Sequence, residues 1–180
     1  MRPRKRIFAF EIVITVVMLA ALGGMTFAAQ DKYTVQVPNG LAFSEFRGYE
    51  DWQTVAVSQT EGVVAVILAN PMMIDAYRAG VPGNGKHFPD GSKIAKFHWK
   101  VKKSTEAPAP TMVPDTLQDV DFIERDSKRF PDTGGWGYAQ FNYDSASDTF
   151  TPDGRDANCG YACHTIVAAK DYIFTAYGKR

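Results

Sequence analysis

The 180-residue chain carries 20 basic and 20 acidic residues, so its formal charge at neutral pH is zero. That balance leaves no electrostatic footprint for nucleic acid, and no nucleic-acid partner is expected. Twelve Phe, eight Tyr and three Trp suffice to build a core or to line a flat ligand, and composition alone does not choose between the two.

The chain opens on a basic cluster, Arg2, Arg4, Lys5 and Arg6, followed by an apolar run from Ile7 to Ala29. Small residues at its end give the pattern of a secretory signal over residues 1–29, with an uncleaved membrane anchor as the alternative. Either way the remaining residues, 30–180, are expected to be exported and periplasmic. Loss of 1–29 removes four basic residues and one acidic residue, leaving 16 against 19 and a net charge of −3. About 150 residues make one ordinary domain.

Residues 30–40 read as an irregular lead-in. Phe43, Phe46 and Trp52 have roughly helical spacing and predict a short helix with those three in the core. Thr54–Ser58 reads as a short strand, and Val63–Ala69 as an apolar strand covered on both faces. Asn70-Pro71 opens a helix that ends at Gly80, because Asn caps well and Pro suits the first helical position. Its methionines, Met72 and Met73, are expected to fill the core. The glycine-rich loop 81–91 lacks the Gly-Lys-Ser/Thr of a phosphate loop.

Residues 93–103 alternate cleanly. Lys93, Ala95, Phe97 and Trp99 point one way, and Ile94, Lys96, His98 and Lys100 the other, which predicts an apolar face on the core and a basic face in water. A proline-rich loop over 104–114 follows. Further strands are expected over 119–126, with Asp121 and Ile123 opposite Val120 and Phe122, and over the aromatic stretch 134–143. Residues 145–158 read as a polar loop. Five strands with peripheral short helices predict an α+β fold dominated by one antiparallel sheet.

Both cysteines lie in Asn158-Cys159-Gly160-Tyr161-Ala162-Cys163-His164. Two cysteines with a histidine directly after the second form the pattern of c-type haem attachment. Each thiol can form a thioether with a porphyrin vinyl group, and the histidine can ligate the iron. The spacing here is one residue longer than the usual Cys-x-x-Cys-His. A Cys159–Cys163 disulfide is the competing reading, since export suits it equally well. Structural zinc fits poorly because no second ligand pair exists.

Taken together, Asn70-Pro71, the stretch Phe88 to Lys96, Asp126-Ser127-Lys128-Arg129-Phe130, Gly135-Trp136-Gly137-Tyr138, and Cys163-His164 followed by Tyr172 to Thr175 resemble the cytochrome P-460 family, which includes the cytochromes c′-beta. The resemblance implies a homodimer of mainly antiparallel β structure with one covalently attached haem c and an open distal iron position. It matches Cys159 and Cys163 to the thioether cysteines and His164 to the iron ligand. Lys96 falls where family members carry a lysine cross-linked to the porphyrin. Asp121 falls near a glutamate that hydroxylamine-oxidising members use as a proton acceptor. The chain departs from those members in having an aspartate, one methylene shorter, and in having Ala65, Val66 and Ile67 where they carry an arginine.

Two functions follow from the resemblance. One is an oxidoreductase acting on hydroxylamine or nitric oxide, with Asp121 as the catalytic proton acceptor and a separate redox partner protein. The other is a non-catalytic protein that captures nitric oxide or another small gas in a pocket lined by aromatics such as Phe97, Phe122 or Trp136.

Overall fold

A computed structural model of the protein describes residues 29–180, so the signal or anchor expected over 1–29 lies, Ala29 apart, outside the described residues. Six strands form an antiparallel meander in the order β1-β2-β3-β4-β5-β6. They are Gln53–Thr60 (β1), Val63–Ala69 (β2), Lys93–Lys103 (β3), Met112–Arg125 (β4), Trp136–Asp144 (β5) and Thr149–Asp153 (β6). Among the described residues two short α-helices, Pro71–Arg78 (α1) and Asn158–His164 (α2), complete the α+β architecture. No helix among the described residues is long and apolar enough to cross a membrane.

The period-2 pattern sorts the sheet into two unlike faces. Leu68, Ala95, Phe122 and Ala139 align across β2 to β5 on one face, with Phe97, Val120 and Phe141 in the next row. The N-terminal segment covers that face. Phe46 stacks on Phe122 at 4.2 Å, Phe43 meets Phe122 edge-on at 5.0 Å, and Tyr49 stacks on Phe97 at 5.3 Å. Each such buried ring contributes about 1.5–3 kcal/mol by area, so this layer accounts for much of the core.

The covering segment is not the single helix its spacing suggests. It makes two separate 3-10 turns, Phe43–Phe46 and Tyr49–Asp51, because Gly48 between them takes a left-handed φ of 79°. The i,i+3 spacing of Phe43 and Phe46 suits one 3-10 turn and stacks both rings inward.

The helix at Asn70-Pro71 forms as expected. Asn70 accepts a hydrogen bond from the Met73 backbone at 3.1 Å, and its amide donates to the Gly91 carbonyl at 2.8 Å. Met73 is fully buried, whereas Met72 is exposed, so only one of the pair fills the core. Strand β6 falls in the stretch read as a polar loop. A single apolar residue anchors it: Phe150 packs 5.0 Å from Phe43 and 5.0 Å from Tyr143. Strand β4 begins inside the proline-rich stretch, where only β3 accompanies it and Pro114 pairs with Val101 beyond a register shift. A hairpin end of this kind leaves unpaired edges and so tolerates proline.

Candidate functional site

The second face of the sheet carries polar groups in register. Ala56, Ile67, Lys96, Asp121, Gln140 and Asp153 are partnered in turn from β1 to β6, and form one row across the molecule. Lys96 and Asp121 are direct partners on the two central strands. Alternation from Lys93 to Trp99 is as read from the sequence, but its polar face is not simply in water. Lys96 and Asp121 line a cavity of about 360 Å³ whose floor includes Ile67, Ile94 and Ile123.

Beside Asp121 lies His98. Its Nδ1 is 2.5 Å from Asp119 Oδ1 and 3.8 Å from Asp121 Oδ2. These three side chains bring their ligand-type atoms within 4.8 Å of one another. Burial pushes the Asp121 carboxyl up to about 6. The charge of Asp119 adds to that rise, while His98 and Lys96 oppose it. Lys96 has no hydrogen bond or ion pair with any other described residue.

The roof of the cavity comes from the C-terminal segment. Helix α2 contains both cysteines four residues apart and ends on His164. Four residues are about one helical turn, so the extra residue in the motif places both thiols on one face of the helix. Both are exposed and free. At i,i+4 on a helix the Cβ atoms are ~5–6 Å apart, beyond ordinary disulfide geometry. A second cavity of about 250 Å³ is lined by Cys159, Cys163, Tyr138 and Gln140. It shares Asp121, Ile123 and His164 with the first, so the two are halves of one slot between sheet and roof. Gly160 sits on Tyr138 so closely that a Cβ there would lie 2.5 Å from the Tyr138 Cβ.

His164 is half-buried between Tyr138, with ring centroids 4.8 Å apart, and Phe174, at 4.9 Å. Its Nδ1 is 2.6 Å from the Tyr172 carbonyl oxygen. A carbonyl only accepts, so Nδ1 carries the proton and Nε2 keeps its lone pair. Burial pulls the imidazole below its ordinary pKa and the charge of Lys96 adds to this, while the bond to Tyr172 opposes it.

Asp121, Lys96, Cys159, Cys163 and His164 therefore converge on one slot although they come from β3, β4 and α2. Of the aromatics expected around it, Phe122 borders the slot, although its ring stacks on Phe46 on the opposite face of the sheet. Phe97 and Trp136 do not line it: Phe97 stacks on Tyr49 and Trp136 is fully buried against Phe88. Tyr138 and Phe174 also line the slot. Ile173 and Phe174 lie in the Tyr172-to-Thr175 stretch of the resemblance, but that stretch has no periodicity that would aim them at the slot. The Asp126-to-Phe130 string is structural. Asp126 Oδ1 accepts from the backbones of Lys128 and Arg129, Ser127 bonds Asp90, and Arg129 pairs with Glu45 at 2.5 Å.

Against known proteins, the family model described as Cytochrome P460 matches residues 46–175. That span runs from the aromatic cover of the sheet to the Phe174 side of the slot. No curated protein matches the chain.

Proposed function

The chain belongs to the cytochrome P460 family, a family of haem cytochromes, and from that premise we propose that it is an exported mono-haem c oxidoreductase acting on hydroxylamine or nitric oxide. In this reading Cys159 and Cys163 hold the haem through thioethers, His164 ligates its iron, and Lys96 forms the additional lysine–porphyrin link. Bound there, the haem would supply redox chemistry at its iron. The residues present fit such a group. The two thiols are free and share a helix face, the imidazole has its Nδ1 proton engaged and its Nε2 available, and the slot is long and mostly apolar.

Asp121 carries the reading. With a pKa of about 6 it is mostly ionised at neutral pH, yet basic enough to take a proton from an N–H or O–H of a small substrate in the slot. The His98–Asp119 pair lies next to it. Before any such link forms, the Lys96 ammonium, partnered with Asp121, adds positive charge at the same floor and helps hold the carboxylate ionised. Electrons leave to a separate redox partner, and the working form is a periplasmic homodimer. Steady-state oxidation of hydroxylamine by haem-loaded protein with an artificial electron acceptor tests this reading. Absence of turnover overturns it.

One observation favours a second reading, capture of nitric oxide without catalysis. Ile67, Ile94, Ile123, Ile173 and Phe174 make the slot wall predominantly apolar, and no arginine among the described residues lines it. Such a wall suits a neutral diatomic. Tight nitric oxide binding to the ferrous protein, combined with no hydroxylamine turnover, selects this alternative.

A further inference from the structure

Asp171 belongs to none of the stretches that mark the family resemblance, yet it is one of the few buried charged residues. Its side chain is 2% exposed and collects three donors from distant parts of the chain. The Phe88 backbone donates at 2.8 Å, His87 Nδ1 lies at 2.7 Å, and Arg125 Nη1 donates at 3.2 Å. Arg125 is itself held, since the same Nη1 donates to the Gly134 carbonyl at 3.0 Å. A buried carboxylate persists only when paired in this way.

The backbone at this point is strained. Asp171 has φ 53° and Tyr172 has φ 62°, two successive non-glycine residues in the left-handed region. Such a conformation persists where its surroundings over-determine it. Here they do. The Asp171 amide bonds the Ala168 carbonyl at 3.0 Å, the Tyr172 amide bonds the Val167 carbonyl at 3.2 Å, and the Tyr172 ring covers Gly134 where a Cβ would lie 2.3 Å from it. The product of this reversal is one carbonyl. Tyr172 O is brought to 2.6 Å from His164 Nδ1.

We infer that Asp171 is a positioning residue for His164: by clamping the left-handed pair 171–172 to Arg125 and the loop at 87–88, it holds the Tyr172 carbonyl on Nδ1 and so sets the tautomer and aim of the imidazole. The inference rests on His164 as the haem ligand. An acceptor fixed on the outer nitrogen of a ligating imidazole raises its basicity and orients its ring. Asp171 thus acts on the metal-side nitrogen through two backbone bonds and one side-chain ring, without touching the slot.

The test uses the full-length, haem-loaded protein. Hydrogen exchange of the His164 Nδ1–H is followed by NMR through its shifted resonance, together with the midpoint potential. Asp171→Asn keeps the size of the side chain but removes the charge, and is expected to speed Nδ1–H exchange about tenfold and to move the potential positive. Glu45→Gln is the control for general loosening, because Glu45 pairs with Arg129 and the Ala42 backbone and reaches neither Asp171 nor Arg125. It is expected to leave both readouts unchanged. Should Asp171→Asn fail to accumulate, Arg125→Lys is read in its place by the same criteria. Unchanged exchange and potential in the clamp variant, or an equal change in Glu45→Gln, overturns the inference while haem remains bound. A wild-type protein without covalent haem by intact mass instead overturns the ligand reading on which it stands, and the inference with it.

Discussion

Lys96 and Asp121 are register partners on β3 and β4, and both line the slot that His164 borders from the opposite side. An amine and a carboxylate held at one floor, under an imidazole with a free Nε2, bring an amine, a titratable acceptor and a nitrogen able to ligate a metal into one cavity.

Asp121 takes up protons on folding, because its pKa rises from 3.8 to about 6. Its contribution therefore favours the folded state below pH 3.8 and is lost as pH rises towards 6, above which the cost is constant. Asp121→Asn removes that cost and should raise stability at pH 7 by about 1 kcal/mol, discounted for the partial exposure of the group. The same variant should lower hydroxylamine turnover about 100-fold. Turnover of the parent should rise through pH 6, and that rise should disappear in the variant. Denaturant melts at pH 4 and 7 and a pH–rate profile check both parts.

Gly160→Ala puts a Cβ 2.5 Å from Tyr138. Backbone and ring cannot both stay, so α2 must lift from β5. A loss of about 1–3 kcal/mol is expected, as for other overpacked contacts. Because the lifted helix bears both thiols, haem incorporation should fall as well. Thermal unfolding and the haem-to-protein absorbance ratio measure the two effects.

Intact mass of the protein should exceed that of the polypeptide by one haem. Cys159→Ala or Cys163→Ala should leave a single thioether and shift the pyridine haemochrome band, and the double cysteine variant combined with Lys96→Met should release haem to acidic acetone. A parent mass two hydrogens below the polypeptide would instead mark a Cys159–Cys163 disulfide.

Lys96→Met removes an amine that no other described residue pairs with, so its effect on stability should be within about 0.5 kcal/mol. Spectroscopically the change should be large. Absorption of the ferrous protein should move from the red-shifted band of a cross-linked haem to that of an ordinary high-spin cytochrome. Identical parent and variant spectra would show that no cross-link forms.

The parts of the fold legible in the sequence are those with local causes. The apolar run Val63–Ala69, the Asn70-Pro71 cap and the alternation from Lys93 to Trp99 each form as their own side chains dictate. The illegible parts depend on distant partners. β6 exists because Phe150 reaches Phe43, more than a hundred residues earlier, and the break in the N-terminal helix follows from Gly48 turning two aromatic pairs onto β3 and β4.

By itself the sequence determined the chemistry available to this protein: two thiols and a histidine in an attachment motif, with a lysine and an aspartate on one face of neighbouring strands. Only the tertiary structure decided that these groups share a slot, that the lengthened motif is one helical turn, and that the rings of Phe97 and Phe122 turn away from it. It also decided the proton on His164, through a carbonyl delivered by the clamp at Asp171. The reason is physical. Residue types and their period are local quantities, whereas a hydrogen bond between His164 and Tyr172 requires the chain to reverse, and the reversal is stabilised by Arg125 at the end of β4 and by the loop at 87–88, about 45 and 85 residues away.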